Sequence, residues 1–113
     1  MQAKTTVALC AALLLVTGAA GAAERIVVNA SEFAFEPAKI TVAPGEEVTL
    51  VLENHGALSH NLHVEGLPVA TETIQTGSAT EVTFTAEESG RYTIKCAVPG
   101  HFEAGMEGQL VVR

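Results

Sequence analysis

From residue 25 onward, apolar and polar residues alternate with a period of two rather than 3.6. IVV at 26–28, KITV at 39–42, VTLVLE at 48–53, NLHVE at 61–65, TEVTFT at 80–85, RYTIKC at 91–96 and QLVV at 109–112 each read as a short strand rich in β-branched residues. No stretch carries an apolar stripe at helical spacing. Turn signals separate the strands: Pro44-Gly45, Asn54-His55-Gly56, Gly66-Leu67-Pro68, Gly77-Ser78, Ser89-Gly90 and Pro99-Gly100. Seven to eight short strands at this pitch predict an all-β fold, a Greek-key antiparallel β-sandwich.

Alternation also assigns faces. In RYTIKC, Tyr92, Ile94 and Cys96 share one side and Arg91, Thr93 and Lys95 the other, so Cys96 ends a strand with its sulfur toward the core. In SHNLHVE, His60, Leu62 and Val64 form one face and Asn61, His63 and Glu65 the other. His60 thus begins a strand on its apolar side, an expensive place for an imidazole without a partner. His63 is expected to face solvent, and His55 sits in a turn; both read as surface residues.

The first 23 residues follow a different pattern. One basic residue, Lys4, precedes an apolar run from Val7 to about Val16, and small residues follow. This is the layout of a secretory signal peptide, with cleavage expected after Ala22 or Ala23. The run is shorter than the ~20 residues of a membrane span and is broken by Thr17 and Gly18, which argues against an uncleaved anchor. Cys10 lies inside the run rather than at its end, so it is read as a small apolar residue lost with the leader. Residues 24–113 then form one domain, since about 90 residues suffice for one core and not for two.

That domain sets Arg25, Lys39, Arg91, Lys95 and Arg113 against thirteen glutamates, a formal charge of −8. Nucleic acid is disfavoured as a partner by such a charge, and a basic protein surface is favoured. Only Cys96 survives leader removal, and a single thiol in an oxidising compartment is a buried filler, an intermolecular link or a metal ligand. Glu46-Glu47 and Glu87-Glu88 lie in turns as solvated pairs, and Asn29-Ala30-Ser31 matches a glycosylation acceptor pattern that is frequent by chance.

The chemistry concentrates in CAVPGHFEAGM, residues 96–106, where a thiol, an imidazole and a thioether stand at even spacing. Pro99 and Gly100 can turn the chain back so that His101 returns toward Cys96, and Gly105 permits a second tight turn before Met106. With His60 added, the donors are two imidazoles, a thiol and a thioether. That set matches a copper site in which two histidines and a cysteine bind in a plane with a weak methionine sulfur; zinc sites seldom recruit methionine.

The Cys96-x4-His101-x4-Met106 loop and the Gly108-Gln109-Leu110-Val111-Val112 strand after it resemble the ligand loop and final strand of the cupredoxins, the small blue copper proteins. FAFEPAKITVAPGEEVTLVLEN followed by SHN is similar to bacterial cupredoxin-like domains, in which an F-x-P segment and a P-G-E turn precede the first histidine ligand. The resemblance covers nearly all of residues 25–113. It implies His60, Cys96 and His101 as equatorial ligands of one type 1 copper ion and Met106 as the axial one. It also implies that Asn61 ties the two ligand loops together by hydrogen bonding. Ser59 stands where some members carry a glycine whose carbonyl approaches the metal, a departure from that pattern.

Four donors leave no open position for a substrate, so the expectation is not an enzyme but an electron carrier. The carrier is expected to be an exported, periplasmic and monomeric protein without stable membrane association after leader removal. Its redox partners, with basic surfaces, are expected to dock on Pro99, Gly100, Phe102, Ala104 and Gly105 around His101, beside the Gly56-Ala57-Leu58 loop. Two other readings remain open: a periplasmic copper carrier or accessory protein with the same ligands, and a metal-free β-sandwich interaction module with Cys96 in its core. A multicopper oxidase or nitrite reductase would need further histidine clusters, and the chain has four histidines in all.

Overall fold

The computed structural model describes residues 23–113. The proposed leader, residues 1–23, and Cys10 with it, lie outside the described residues except for Ala23. Nine strands are found among the described residues: β1 (Glu24–Ser31), β2 (Ala34–Glu36), β3 (Lys39–Val42), β4 (Glu47–Asn54), β5 (His63–Val64), β6 (Val69–Ala70), β7 (Ala79–Thr85), β8 (Gly90–Lys95) and β9 (Glu107–Val112). They form two sheets, a four-stranded one in the order β2-β1-β4-β7 and a five-stranded one in the order β3-β9-β8-β5-β6.

The alternation sets what each sheet turns inward. Val48, Leu50 and Leu52 of β4 are fully buried, and Val28, Ala30, Phe35 and Phe84 join them from the same sheet. Ile40, Val42, Val64, Ile94, Leu110 and Val112 face them from the other sheet. Each such aliphatic side chain contributes about 1.5–3 kcal/mol by leaving water.

The β-sandwich is as the alternation predicts, and three particulars differ. The strands number nine rather than seven or eight, because β2 and β6 are three and two residues long, too short to leave a periodic signature. The sandwich is not wholly antiparallel: β1 pairs with β4 in parallel, and so does β3 with β9. Alternation reports faces and carries no information about strand direction, which the crossovers between sheets decide. Finally, the strand expected over 61–65 is reduced to His63–Val64. His60 forms only an isolated bridge with Ile74, and the Thr71 hydroxyl replaces a ladder partner by accepting from Leu62 N at 3.0 Å. Asn61 is consequently buried at 6% exposure rather than turned outward.

The parallel β1–β4 pairing positions the site. Its register aligns Ala30 with Asn54, so the two strands finish side by side. The two-residue turn after β1, Glu32-Phe33, therefore lies against the loop after β4, residues 55–59, and His55 N donates to Ala30 O at 2.8 Å. On the other sheet, Lys95 pairs with Glu107, which makes residues 96–106 a hairpin loop between β8 and β9. These three connections meet at one end of the sandwich.

Candidate metal centre

Cys96 follows directly on β8 and keeps the inward direction of Ile94, so its sulfur is wholly buried. The loop beyond it is wound by main-chain hydrogen bonds. His101 N donates to Val98 O at 3.0 Å, Gly105 N to Phe102 O at 2.9 Å and Met106 N to His101 O at 3.1 Å. Cys96 N donates to Met106 O at 3.2 Å, closing the loop. Gly100 and Gly105 adopt φ of 88° and 105°, the left-handed conformation that glycine enters without a Cβ clash. The two turns carry His101 back over Cys96 and return Met106, fully buried, beside it.

His60, in the connection between β4 and β5, reaches the same point. The closest donor atoms of His60, Cys96 and His101 all lie within 4.8 Å of one another, and all three residues are buried. Cys96 Sγ lies 3.5 Å from His101 Nδ1 and 4.0 Å from His60 Nδ1. The two imidazole centroids are 5.0 Å apart. Each histidine thus turns Nδ1 toward the thiol. His101 retains 8% exposure, whereas His60, Cys96 and Met106 retain none. Two imidazole nitrogens and a thiol converging in a buried cluster, on a loop that also carries the buried Met106, form a donor set that suits a soft metal ion.

Asn61 spans the two ligand-bearing segments. Its Oδ1 accepts from Ala97 N at 2.7 Å, next to Cys96, and its Nδ2 donates to Thr73 Oγ1 at 2.8 Å. Asn54, 1% exposed, organises the preceding loop: its Nδ2 donates to Leu58 O and Ile74 O, and its Oδ1 accepts from Gly56 N at 2.9 Å.

Two further residues belong to the site and were not singled out from the sequence. Glu32 Oε1 lies 3.2 Å from His60 Nε2, and the same carboxylate accepts from Ala57 N and Leu58 N. The Ala57 and Leu58 amides hold the Glu32 carboxyl below the usual carboxylate range; burial opposes them, and the contact with His60 adds to the lowering. Phe33, next in the turn, packs its ring edge-to-face with His101 at 5.3 Å and 83°. Its φ of 62° is left-handed, an uncommon conformation for a bulky residue. Neither residue lies in a periodic pattern or a metal-ligand spacing, so the only sequence signal for them was their place just ahead of the F-x-P segment.

The expected docking residues surround His101. Pro99, Gly100, Ala104 and Gly105 are exposed; Phe102 is half-buried beneath Lys95, whose Nζ stands 4.9 Å from the ring centroid. Phe33 and Leu58, 39% and 44% exposed, are the large apolar side chains at the rim. His55 and His63 stay apart from the cluster: His55 is exposed and pairs with Glu53 at 3.1 Å, and His63 is half-buried on β5.

A family model for the cupredoxin-like domain matches residues 4–112. The copper-resistant cuproprotein CopI of Rubrivivax gelatinosus is 31% identical over 117 residues, which span 85% of this chain and 71% of that protein. Auracyanin-A of Chloroflexus aurantiacus is 33% identical over 111 residues, 72% of this chain and 68% of the relative. The crystal structure of dithionite-reduced auracyanin from Roseiflexus castenholzii superposes with a TM-score of 0.73 at 25% identity, covering 82% of this chain and 99% of that one.

Proposed function

The chain belongs to the cupredoxin-like domain family, and from that premise we propose that it is an exported blue copper protein carrying single electrons between redox partners. The observation that carries this reading is the closed cluster of His60, Cys96 and His101, with donor atoms within 4.8 Å and only His101 reaching the surface. In this reading His60 Nδ1, Cys96 Sγ and His101 Nδ1 hold the ion and the Met106 thioether is the weak fourth donor. Copper held by such a set supplies a one-electron couple.

The protein's own part is to hold the donors still and to exclude water. Burial of His60, Cys96 and Met106 supports a carrier over a metal enzyme, which keeps a coordination position open to its substrate. The main-chain bonds linking Cys96, His101 and Met106, together with Asn61, resist rearrangement when the charge of the site changes. The exposed edge of His101 makes the apolar ring of Phe33, Leu58, Pro99, Gly100, Phe102, Ala104 and Gly105 the docking face. The acidic domain around it suits partners with basic surfaces. Export rests on residues 1–23 acting as a leader with residues 24–113 as the working, monomeric domain; the amino terminus of the exported protein should then be Ala23 or Glu24.

A second reading has one observation in its favour, the 31% identity to a copper-resistant cuproprotein. Under it the same residues would hold copper for delivery or sequestration. Burial of three of the four donors favours electron transfer, because release would require the 96–106 loop to open. Voltammetry with electron self-exchange measured by NMR line broadening, alongside Cu(I) transfer to a chelator, separates the two. Reversible voltammetry with fast exchange and slow transfer supports the electron carrier; slow exchange with ready transfer overturns it in favour of copper handling.

A further inference from the structure

We infer that Glu32 is the positioning residue of His60, and that its carboxylate sets the tautomer, copper affinity and reduction potential of the site; the inference rests on the copper reading above.

A buried imidazole that gives Nδ1 to a metal must carry its proton on Nε2, and that proton needs an acceptor. His60 is fully buried, and its Nε2 faces Glu32 Oε1 at 3.2 Å. The carboxylate is not a loose surface group at this point. Ala57 N donates to both of its oxygens, at 2.9 and 3.0 Å, and Leu58 N donates to Oε1 at 3.1 Å. Three main-chain hydrogen bonds thus fix the acceptor before the imidazole meets it, which is how a short polar contact acquires a defined direction.

The surrounding backbone is shaped to the same end. Gly56 leaves the room the carboxylate occupies, since a Cβ there would collide with the Glu32 side chain. The parallel β1–β4 register brings the Glu32-Phe33 turn alongside residues 55–58. Phe33 holds a left-handed φ of 62° in that turn while its ring packs on His101. One two-residue turn therefore touches both imidazoles, Glu32 by a hydrogen bond and Phe33 by an aromatic edge.

An anionic acceptor does more than orient the ring. It raises the electron density of the imidazole and adds a negative charge beside the site, and both effects stabilise Cu(II) relative to Cu(I). Glu32 consequently lowers the reduction potential. A neutral amide in its place keeps a hydrogen-bond acceptor and loses the charge, which separates orientation from electrostatics.

The test uses the wild-type protein, E32Q, E32A and, as a charge control, E81Q, which removes one exposed carboxylate of β7 that pairs with Arg25. In the metal-free proteins, long-range 15N NMR reads the His60 ring nitrogens: Nε2 bears the proton in wild type and E32Q, and the preference is lost in E32A. In the copper-loaded proteins, E32Q raises the reduction potential and lowers Cu(II) affinity about 10–100-fold, the range for removing a partner of a metal-bound histidine, while E81Q moves neither. If wild type is blue and E32Q matches it in potential and affinity, or if E81Q shifts them as much, the inference is overturned and the copper reading stands. If wild type takes up no copper, the copper reading fails. NMR then decides alone: an Nε2-protonated His60 that depends on Glu32 keeps the positioning role, and a ring indifferent to E32A removes it.

Discussion

Replacing Asn61 with alanine tests whether the two ligand segments are held by a side-chain clamp present before any metal. Asn61 is 6% exposed and makes two hydrogen bonds, one from Ala97 N at 2.7 Å and one to Thr73 Oγ1 at 2.8 Å. Each is worth about 0.5–1.5 kcal/mol net, and the orphaned Ala97 amide places the sum near the middle of the range, about 2 kcal/mol. In a folded part of this size each kcal/mol lowers Tm by roughly 4–8 °C, so the metal-free variant should melt roughly 8–16 °C below wild type. The clamp joins the β4–β5 connection bearing His60 to the loop bearing Cys96. Its loss should also weaken copper binding by about 10–100-fold, or about 1.4–2.7 kcal/mol. Urea unfolding of the metal-free proteins gives the first quantity, and competitive copper titration gives the second. T73V removes only the acceptor on an exposed residue, where water can substitute, and should cost under about 0.5 kcal/mol. An N61A protein within about 0.5 kcal/mol of wild type and equal to it in copper affinity would refute the clamp.

Ala104→Glu places a negative charge on the exposed ring around His101; electron self-exchange between two copies, followed by NMR line broadening, should slow at least roughly tenfold because the two facing rings would repel, with the copper spectrum unchanged. Gly105 is unsuitable for that test because its φ of 105° would strain any side chain. Gly108→Ala should destabilise the fold by about 1–3 kcal/mol in urea unfolding, since the new Cβ would sit 2.6 Å from Ala38 O where β9 meets β3. Glu24 has its pKa raised by a hydrogen bond with Glu46 and by partial burial, with Arg113 opposing. The folded chain therefore binds this proton more tightly than the unfolded one. Its contribution is complete below the ordinary carboxylate range and fades as pH rises through the folded value. Relative to E24Q, wild type should lose stability over that weakly acidic window, by less than about 1 kcal/mol given its exposure; a difference that grows toward acid in favour of E24Q contradicts the assignment.

Period-two alternation made the sandwich and much of its core legible: Val48, Leu50 and Leu52 inward on β4, and Ile94 and Cys96 inward at the end of β8. The donor set was legible because cysteine, histidine and methionine carry their chemistry in their identity, and because glycine and proline announce the turns that fold residues 96–106 back on themselves. What alternation does not encode is direction. The parallel β1–β4 pairing was invisible for that reason, and with it the juxtaposition of the 32–33 turn and the 55–59 loop. Glu32 and Phe33 were missed as a consequence: a glutamate at a strand end reads as solvated surface until the neighbour that needs an acceptor is known. Asn61 illustrates the opposite case. Its expected tie between the ligand segments rested on resemblance, whereas its alternation pointed it outward; it is buried because residues 61–62 leave the ladder and bond to Thr71, Thr73 and Ala97 instead.

In the function proposed, His60, Cys96, His101 and Met106 hold one copper ion in a thiolate-bound, closed site. Titration of the purified protein with Cu(II), followed by visible absorption and electron paramagnetic resonance with Cys96→Ser in parallel, decides whether they do. Saturation at one copper per chain, an intense blue thiolate-to-copper band and narrow hyperfine splitting are expected, all lost in Cys96→Ser. A colourless protein, or a weak spectrum shared equally by the serine variant, would contradict it.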